Sequence, residues 1–212
     1  MEGEWSGYDL KHQTVYSGKY LFYPFIDNIE IIEYNHSHYS DVIRISQNEL
    51  EDGFLEQIDT KNIDREKNFI YLAKIHEKSK TIGFLYYEKT TCGKLLNKSQ
   101  FSSLKNNFLL KNNNLLIINI IAIAVEDNYK NQGVASKLIH AVLKEEMTDE
   151  NTIGMFKLDI CQDKENSQKI KEYENMKNIL KKANFMPFNG DSQFIIYYIN
   201  IDVGVNKSRS DN

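Results

Sequence analysis

The chain has 212 residues, 41% of them hydrophobic, and a formal net charge of -4. That suits one globular domain with a real core, and the even mixing of Lys, Glu and Asp argues against a broad basic face for nucleic acid. Only two cysteines occur, Cys92 and Cys161, without a CxxC or Cys/His cluster, which argues against a disulfide framework or a zinc site and fits a reducing, cytoplasmic compartment.

In chain order, the N-terminus starts acidic and lacks the basic-then-apolar order of a signal peptide. Residues 1–28 are rich in aromatics such as Trp5, Tyr8, Tyr16, Tyr20 and Phe22 without clear periodicity, and read as an arm or extra strand. Ile29–Tyr34 alternates apolar and acidic residues as a half-buried strand does. From Ser40 to Ile58 the apolar spacing predicts two helical pieces broken near Ser46–Asn48. Strands follow at Asn68–His76 and Lys80–Glu88, joined by a Glu-Lys-Ser-Lys turn. Residues 89–114 are polar and Asn/Lys-rich, an insertion that reads as a long loop with a short helix.

The longest apolar run, Leu115 to Val125, is interrupted by Asn119 and is too short to span a bilayer. It reads as a buried strand, and Gly133–Met147 as the helix after it. A strand at Phe156–Cys161, a helix at Asn166–Ala183 and a last strand at Phe194–Ile201 complete the core, and a polar tail at 202–212 is expected to be disordered. The order β-α-α-β-β-β-α-β-α-β implies an α/β domain over 29–201 with a mixed sheet.

The informative stretch runs from Ile121 to His140: an apolar strand, a polar turn, then an amphipathic helix. At Lys130–Ala135 the first helical N–H groups have no intrahelical partner, and with the helix dipole they form an anion site. Gly133 lacks a Cβ, so a phosphate can approach the backbone, or it simply makes a tight turn into the helix. The spacing matches neither GxxxxGK[ST] nor GxGxxG, which disfavours ATP and NAD.

Lys130-Asn131-Gln132-Gly133-Val134-Ala135 after a strand ending in Val125 resembles motif A of the GNAT superfamily of N-acetyltransferases, Arg/Gln-x-x-Gly-x-Gly/Ala. Lys130 departs from that pattern; it keeps a positive charge but lacks the bidentate fork of Arg. Thr81–Tyr86 is similar to the family's third strand. Lys181-Lys-Ala-Asn-Phe185 is similar to its helix-end signature, with Asn184 in place of Gly.

The resemblance covers roughly 29–201 and implies a GNAT-like mixed, mostly antiparallel sheet of six to seven strands flanked by helices. It implies acetyl-CoA as co-substrate, no metal, and a CoA site formed by Ile123, Ala124, Val125, Lys130, Asn131, Gln132, Gly133, Val134, Ala135 and Ser136. The reaction it implies is direct acetyl transfer to a primary amine in a ternary complex. The alternative is a CoA-binding module that no longer catalyses; a nucleotide-binding regulator ranks third.

Amine attack on a thioester needs a neutral amine, hence a base, and a protonated leaving thiolate. The family often places a Glu early in the motif A strand, but here Asn119 is the only polar side chain, able to orient a water and not to act as base. Asp159 is the base candidate, against an alternative role as a solvent-facing strand residue. Glu126 and Asp127 read as a solvated turn capping the next helix. The family's usual acid, a Tyr five residues before the helix-end Phe, is Leu180 here. Tyr173, two turns earlier, is a second candidate against a role as a core aromatic, and either Tyr197 or Tyr198 faces inward. Acidic residues between Asp41 and Glu56 hint at a cationic acceptor; a homodimer is compatible with the sequence.

Overall fold

The computed structural model describes residues 2–9, 14–21, 28–50, 68–76, 79–98, 101, 112–148, 152–159, 166–188 and 194–200, with side chains from 28 onward except at 159, 188, 194 and 200. The helical piece expected over 51–58, most of the insertion after Lys98, Cys161 and the tail lie outside the described residues.

β1 (Glu2–Asp9) and β2 (Thr14–Leu21) pair with each other as an antiparallel hairpin, in a sheet of their own. The main sheet holds β3 (Ile29–Glu33), β4 (Asn68–Ile75), β5 (Lys80–Thr91), β6 (Leu116–Val125), β7 (Thr152–Asp159), β8 (Met186–Phe188) and β9 (Phe194–Asn200). Its seven strands run in the order β3-β4-β5-β6-β7-β9-β8, and only β6–β7 is parallel. Among the described residues the α-helices are α1 (Tyr39–Glu49), α2 (Cys92–Leu96), α3 (Val134–Glu146) and α4 (Ser167–Lys182). This is the mixed, mostly antiparallel sheet the sequence implies.

α3 buries Val134, Leu138, Ile139 and Val142, a stripe at helical spacing, on one sheet face. There they join Tyr87, Ile118, Ile120 and Phe156, and Leu180, Ala183 and Phe185 from the end of α4. On the opposite face α1 seats Val42 and Ile45 on Ile70, Leu72, Phe84, Tyr86 and Ala124. A separate cluster on that face joins Cys92, Leu95, Leu96 and Phe101 of the insertion to Ile117, Ile153, Met155 and Ile196. The insertion is thus partly core.

Four boundaries differ from the sequence reading, the first being β5, which continues past Glu88 to Thr91. α1 runs unbroken through Ser46–Asn48 to Glu49, because Ser46 is turned inward and buried. β7 begins at Thr152 and not at Phe156; Gly154 masks the strand pattern there, while Thr152, Ile153 and Met155 are all buried. β8 is too short to register as a pattern, with Pro187 at its centre.

The α3 face carries a tyrosine stack. Phe69 and Tyr71 both stack on Tyr87, with centroids 5.3 and 6.1 Å apart. The Tyr87 hydroxyl donates to Glu146 at 2.5 Å, and Lys89 Nζ pairs with the same carboxylate at 2.6 Å. Burial and then the Glu33 carboxylate push Tyr71 up to about 12 from the ordinary 10.0. Burial, and after it the Glu146 hydrogen bond, push Tyr87 up further. Raised folded-state values mean that the fold favours the neutral phenols, so their contribution is complete below the unfolded-state value near 10.0 and is lost as pH climbs through the folded-state values. Denaturant unfolding should therefore show stability falling above about pH 10. Tyr87→Phe should cost about 1–2 kcal/mol at neutral pH and flatten that alkaline slope.

Candidate functional site

β6 pairs with β5 along its whole length, but with β7 only from Leu116–Thr152 to Ile120–Phe156. Beyond that pair β6 continues to Val125 without a β7 partner, so among the described residues the backbone of 121–125 is unpaired on that edge. At the same level the β5–β6 register slips: Tyr86 faces Ala122 and Tyr87 faces Ile120, leaving Ile121 as an extra residue. Gly83 permits the close approach here, since a Cβ on it would stand 2.8 Å from the Ala124 carbonyl oxygen.

Where β6 ends, Glu126 is not the solvated turn residue that the sequence suggests. Only 9% exposed, it accepts from Arg44 and from Lys80 Nζ at 2.7 Å. Arg44 also donates to the Thr81 carbonyl at 3.0 Å and to Asp41 at 3.1 Å, and Thr81 Oγ1 donates to Asp41 at 2.8 Å. This network ties α1 to the start of β5 and the end of β6.

A short 3-10 turn, Asp127–Tyr129, leads into the loop. Asn131 (φ 63°) and Gly133 (φ 81°) are both left-handed, a region that Asn tolerates and Gly occupies freely. Gly133 caps α3 without a side-chain hydrogen bond. The first intrahelical bond from this turn runs from Lys137 N–H to the Gly133 carbonyl at 3.0 Å, so the N–H groups of Val134, Ala135 and Ser136 precede it. A Cβ built on Gly133 would meet nothing within 4 Å. It would project into open space.

That space is a cleft of about 490 Å³ between this loop and α4. Nine of the ten residues expected at a CoA site line it: Ile123, Ala124, Val125, Lys130, Asn131, Gly133, Val134, Ala135 and Ser136. Gln132 does not; its amide turns back to the Asn128 carbonyl at 2.9 Å. The facing wall, missed in the sequence, is the polar stripe of α4, with Gln168, Lys171, Asn175 and Lys182, and Glu49 closes one end. The signal was present, since 168, 171, 175 and 182 fall on one helical face. Asn175 also bridges the cleft, donating to Asn131 Oδ1 at 3.2 Å.

Lys130 keeps its charge, but the charge is committed. Its Nζ lies 2.6 Å from Asp127, 2.7 Å from Glu49 and 3.7 Å from Glu172. Burial alone would lower its pKa, but the hydrogen bonds to Asp127 and Glu49 win and raise it above the ordinary lysine value. The exposed cations of the cleft are therefore Lys171 and Lys182. With three helix N–H groups opposite, they suit an elongated anionic ligand.

Of the three catalytic candidates, Asn119 and Tyr173 do not line this cleft. Asn119 is 5% exposed and donates to Glu88 Oε1 at 2.9 Å, on the face of α1 and α2. Tyr173 lies half-buried on the side of α4 away from the cleft, with Lys177 Nζ 5.1 Å from its ring centroid. Asp159 ends β7 opposite Phe194; its side chain lies outside the described ones. Leu180, at the family's acid position, is fully buried. Tyr197 faces the α3 core and Tyr198 the insertion's cluster. Among the described residues no group of three or more His, Cys, Asp or Glu is placed to hold a metal ion.

Lys130 offers a test of this electrostatics. Glu49, whose side chain is only 7% exposed, should suffer when the ammonium goes. A double-mutant cycle of Lys130→Met and Glu49→Gln, read by thermal unfolding, should give a coupling of about 1–3 kcal/mol.

No family model and no curated protein matches the chain. Solved structures do. NAA60 from Arabidopsis thaliana in complex with acetyl-CoA superposes with a TM-score of 0.56 at 14% identity, covering 82% of this chain and 98% of that one. The ribosomal-protein-S18-alanine N-acetyltransferase from Escherichia coli gives 0.56 at 12% identity, covering 84% and 97%. The PaiA N-acetyltransferase from Thermoplasma acidophilum in complex with coenzyme A gives 0.52 at 11%, covering 81% and 98%. With the strand order and the opening between β6 and β7 in place, the chain has the fold of the GNAT acetyltransferases.

Proposed function

We propose that this chain is an acetyl-CoA-dependent N-acetyltransferase that acts on a primary amine. The observation that carries the reading is the Gly133-led loop, where three helix N–H groups, a left-handed glycine and an unpaired stretch of β6 line one cleft. The N–H groups of Val134, Ala135 and Ser136 would hold the diphosphate, with Lys171 and Lys182 facing it. The open edge of β6 at Ile123–Val125 would pair with the pantetheine as an added strand does. Bound acetyl-CoA supplies a thioester-activated acetyl group. A backbone N–H near Ile123–Val125 would polarise its carbonyl.

Two neighbours in fold are named as N-acetyltransferases and two are seen with acetyl-CoA or coenzyme A, which supports the same assignment. The second reading, a CoA-binding module without turnover, is favoured by Leu180 in the acid position and by a β6 that carries no acid. Calorimetry with acetyl-CoA and thiol release over a panel of amines separate them: binding without turnover selects the module.

Gly133→Glu places a carboxylate in the open space before the α3 amides. It should leave the circular dichroism spectrum intact and weaken acetyl-CoA binding by about 100-fold or more, since like charges brought together cost several kcal/mol. Unchanged affinity in the folded variant would remove this loop as the diphosphate site.

A further inference from the structure

The loop before α3 meets α4 across the cleft through two polar contacts. Asn175 Nδ2 donates to Asn131 Oδ1 at 3.2 Å, and Glu172 Oε1 lies 3.7 Å from Lys130 Nζ. The Gln168 side-chain amide donates to the same Glu172 oxygen at 2.9 Å and holds it in place. Residues 168, 172 and 175 share one face of α4, and all three line the cleft, as Lys130 and Asn131 do from the other wall. Asn131 and Glu172 are exposed, whereas Ala124 and Val134, which also line the cleft, are buried. The contacts therefore stand at the solvent mouth of the cleft, above its buried floor.

Glu172 adds little to the fold. Lys130 Nζ already has Asp127 at 2.6 Å and Glu49 at 2.7 Å. At 3.7 Å Glu172 is beyond hydrogen-bond reach, and its side chain is 48% exposed; ion pairs of that kind are worth little. What Glu172 does add is charge. One ammonium faces three carboxylates at the mouth of a cleft whose helix N–H groups and exposed lysines suit an anion. An anion entering there meets Glu172 as a like charge, and the Asn131–Asn175 bond spans its way in.

Resting on the reading of this cleft as the acetyl-CoA site, we propose that Glu172 and Asn175 form an autoinhibitory latch between α4 and the loop. In the free chain the latch is closed. The diphosphate arriving at the N–H groups of Val134, Ala135 and Ser136 repels Glu172, which leaves Lys130 for solvent, and Asn175 then lets go of Asn131. Lys130 stays with Glu49 and Asp127, so the loop keeps its anchor to α1 while α4 is released. Each contact is weak, so the ligand's own charge is enough to open the latch.

The test uses the full chain and acetyl-CoA. In calorimetry Glu172→Gln should bind acetyl-CoA about two- to fivefold more tightly than wild type. Glu174→Gln makes the same charge change on α4 outside the cleft, where Glu174 pairs with Lys177, and should leave the affinity unchanged. In a Lys130→Met/Glu49→Gln background, where no loop cation holds Glu172 at the mouth, the gain from Glu172→Gln should largely disappear. Asn175→Ala, which alters no charge, should speed acetyl-CoA association about two- to fivefold in stopped flow. Without ligand, amide hydrogen exchange over 130–136 should be faster in Glu172→Gln/Asn175→Ala and unchanged in β4 and β5. No gain in Glu172→Gln, an equal gain in Glu174→Gln, a gain kept in full without Lys130, or unchanged association or exchange overturns the latch and leaves the acetyltransferase reading standing. A wild-type chain that binds no acetyl-CoA overturns both.

Discussion

Hydrogen bonding between β6 and β7 stops at Ile120 and Phe156, and the rest of the molecule is arranged around that stop. A parallel pair that stayed zipped would leave no open backbone edge and no passage between the two faces. The extra residue Ile121 falls at this level, and Gly83 makes room for the Ala124 carbonyl further along; bulges commonly re-aim a strand. α3 and α4 then stand on either side of the opening and form the walls of the cleft.

An opened strand needs its free end held. The ion pairs around Glu126 do this, joining α1, β5 and the last residue before the loop through Arg44, Lys80, Asp41 and Thr81. Lys130 repeats the arrangement one turn later, gathering Glu49 from α1, Asp127 from the loop and Glu172 from α4. Partly buried charge networks gain little from attraction alone. Their effect here is to fix where the loop sits relative to both walls.

How much of this was legible in the sequence depends on the range of the interaction. The strand, turn and helix from Leu115 to Met147 announce themselves locally, through an apolar run, Gly133 and a helical stripe, and all but Gln132 of the ten residues read from them line one cleft. The capture of Lys130 was not legible, since two of its three partners are far away in sequence at positions 49 and 172. The engagement of Asn119 was hidden for a related reason. Glu88, a single acid in a strand, looks solvated, and only the cross-strand register brings the two together. Tyr173 sits on α4 but on the side away from the cleft, because periodicity gives a face and not what the face meets.

The ends of the sheet carry their own consequence. On β3, Glu30 and Glu33 are exposed, and β8 has three residues with a proline in the middle. Short, charged or proline-bearing margins resist the addition of a foreign strand. Growth of this sheet by a foreign strand is therefore disfavoured at both of its described margins.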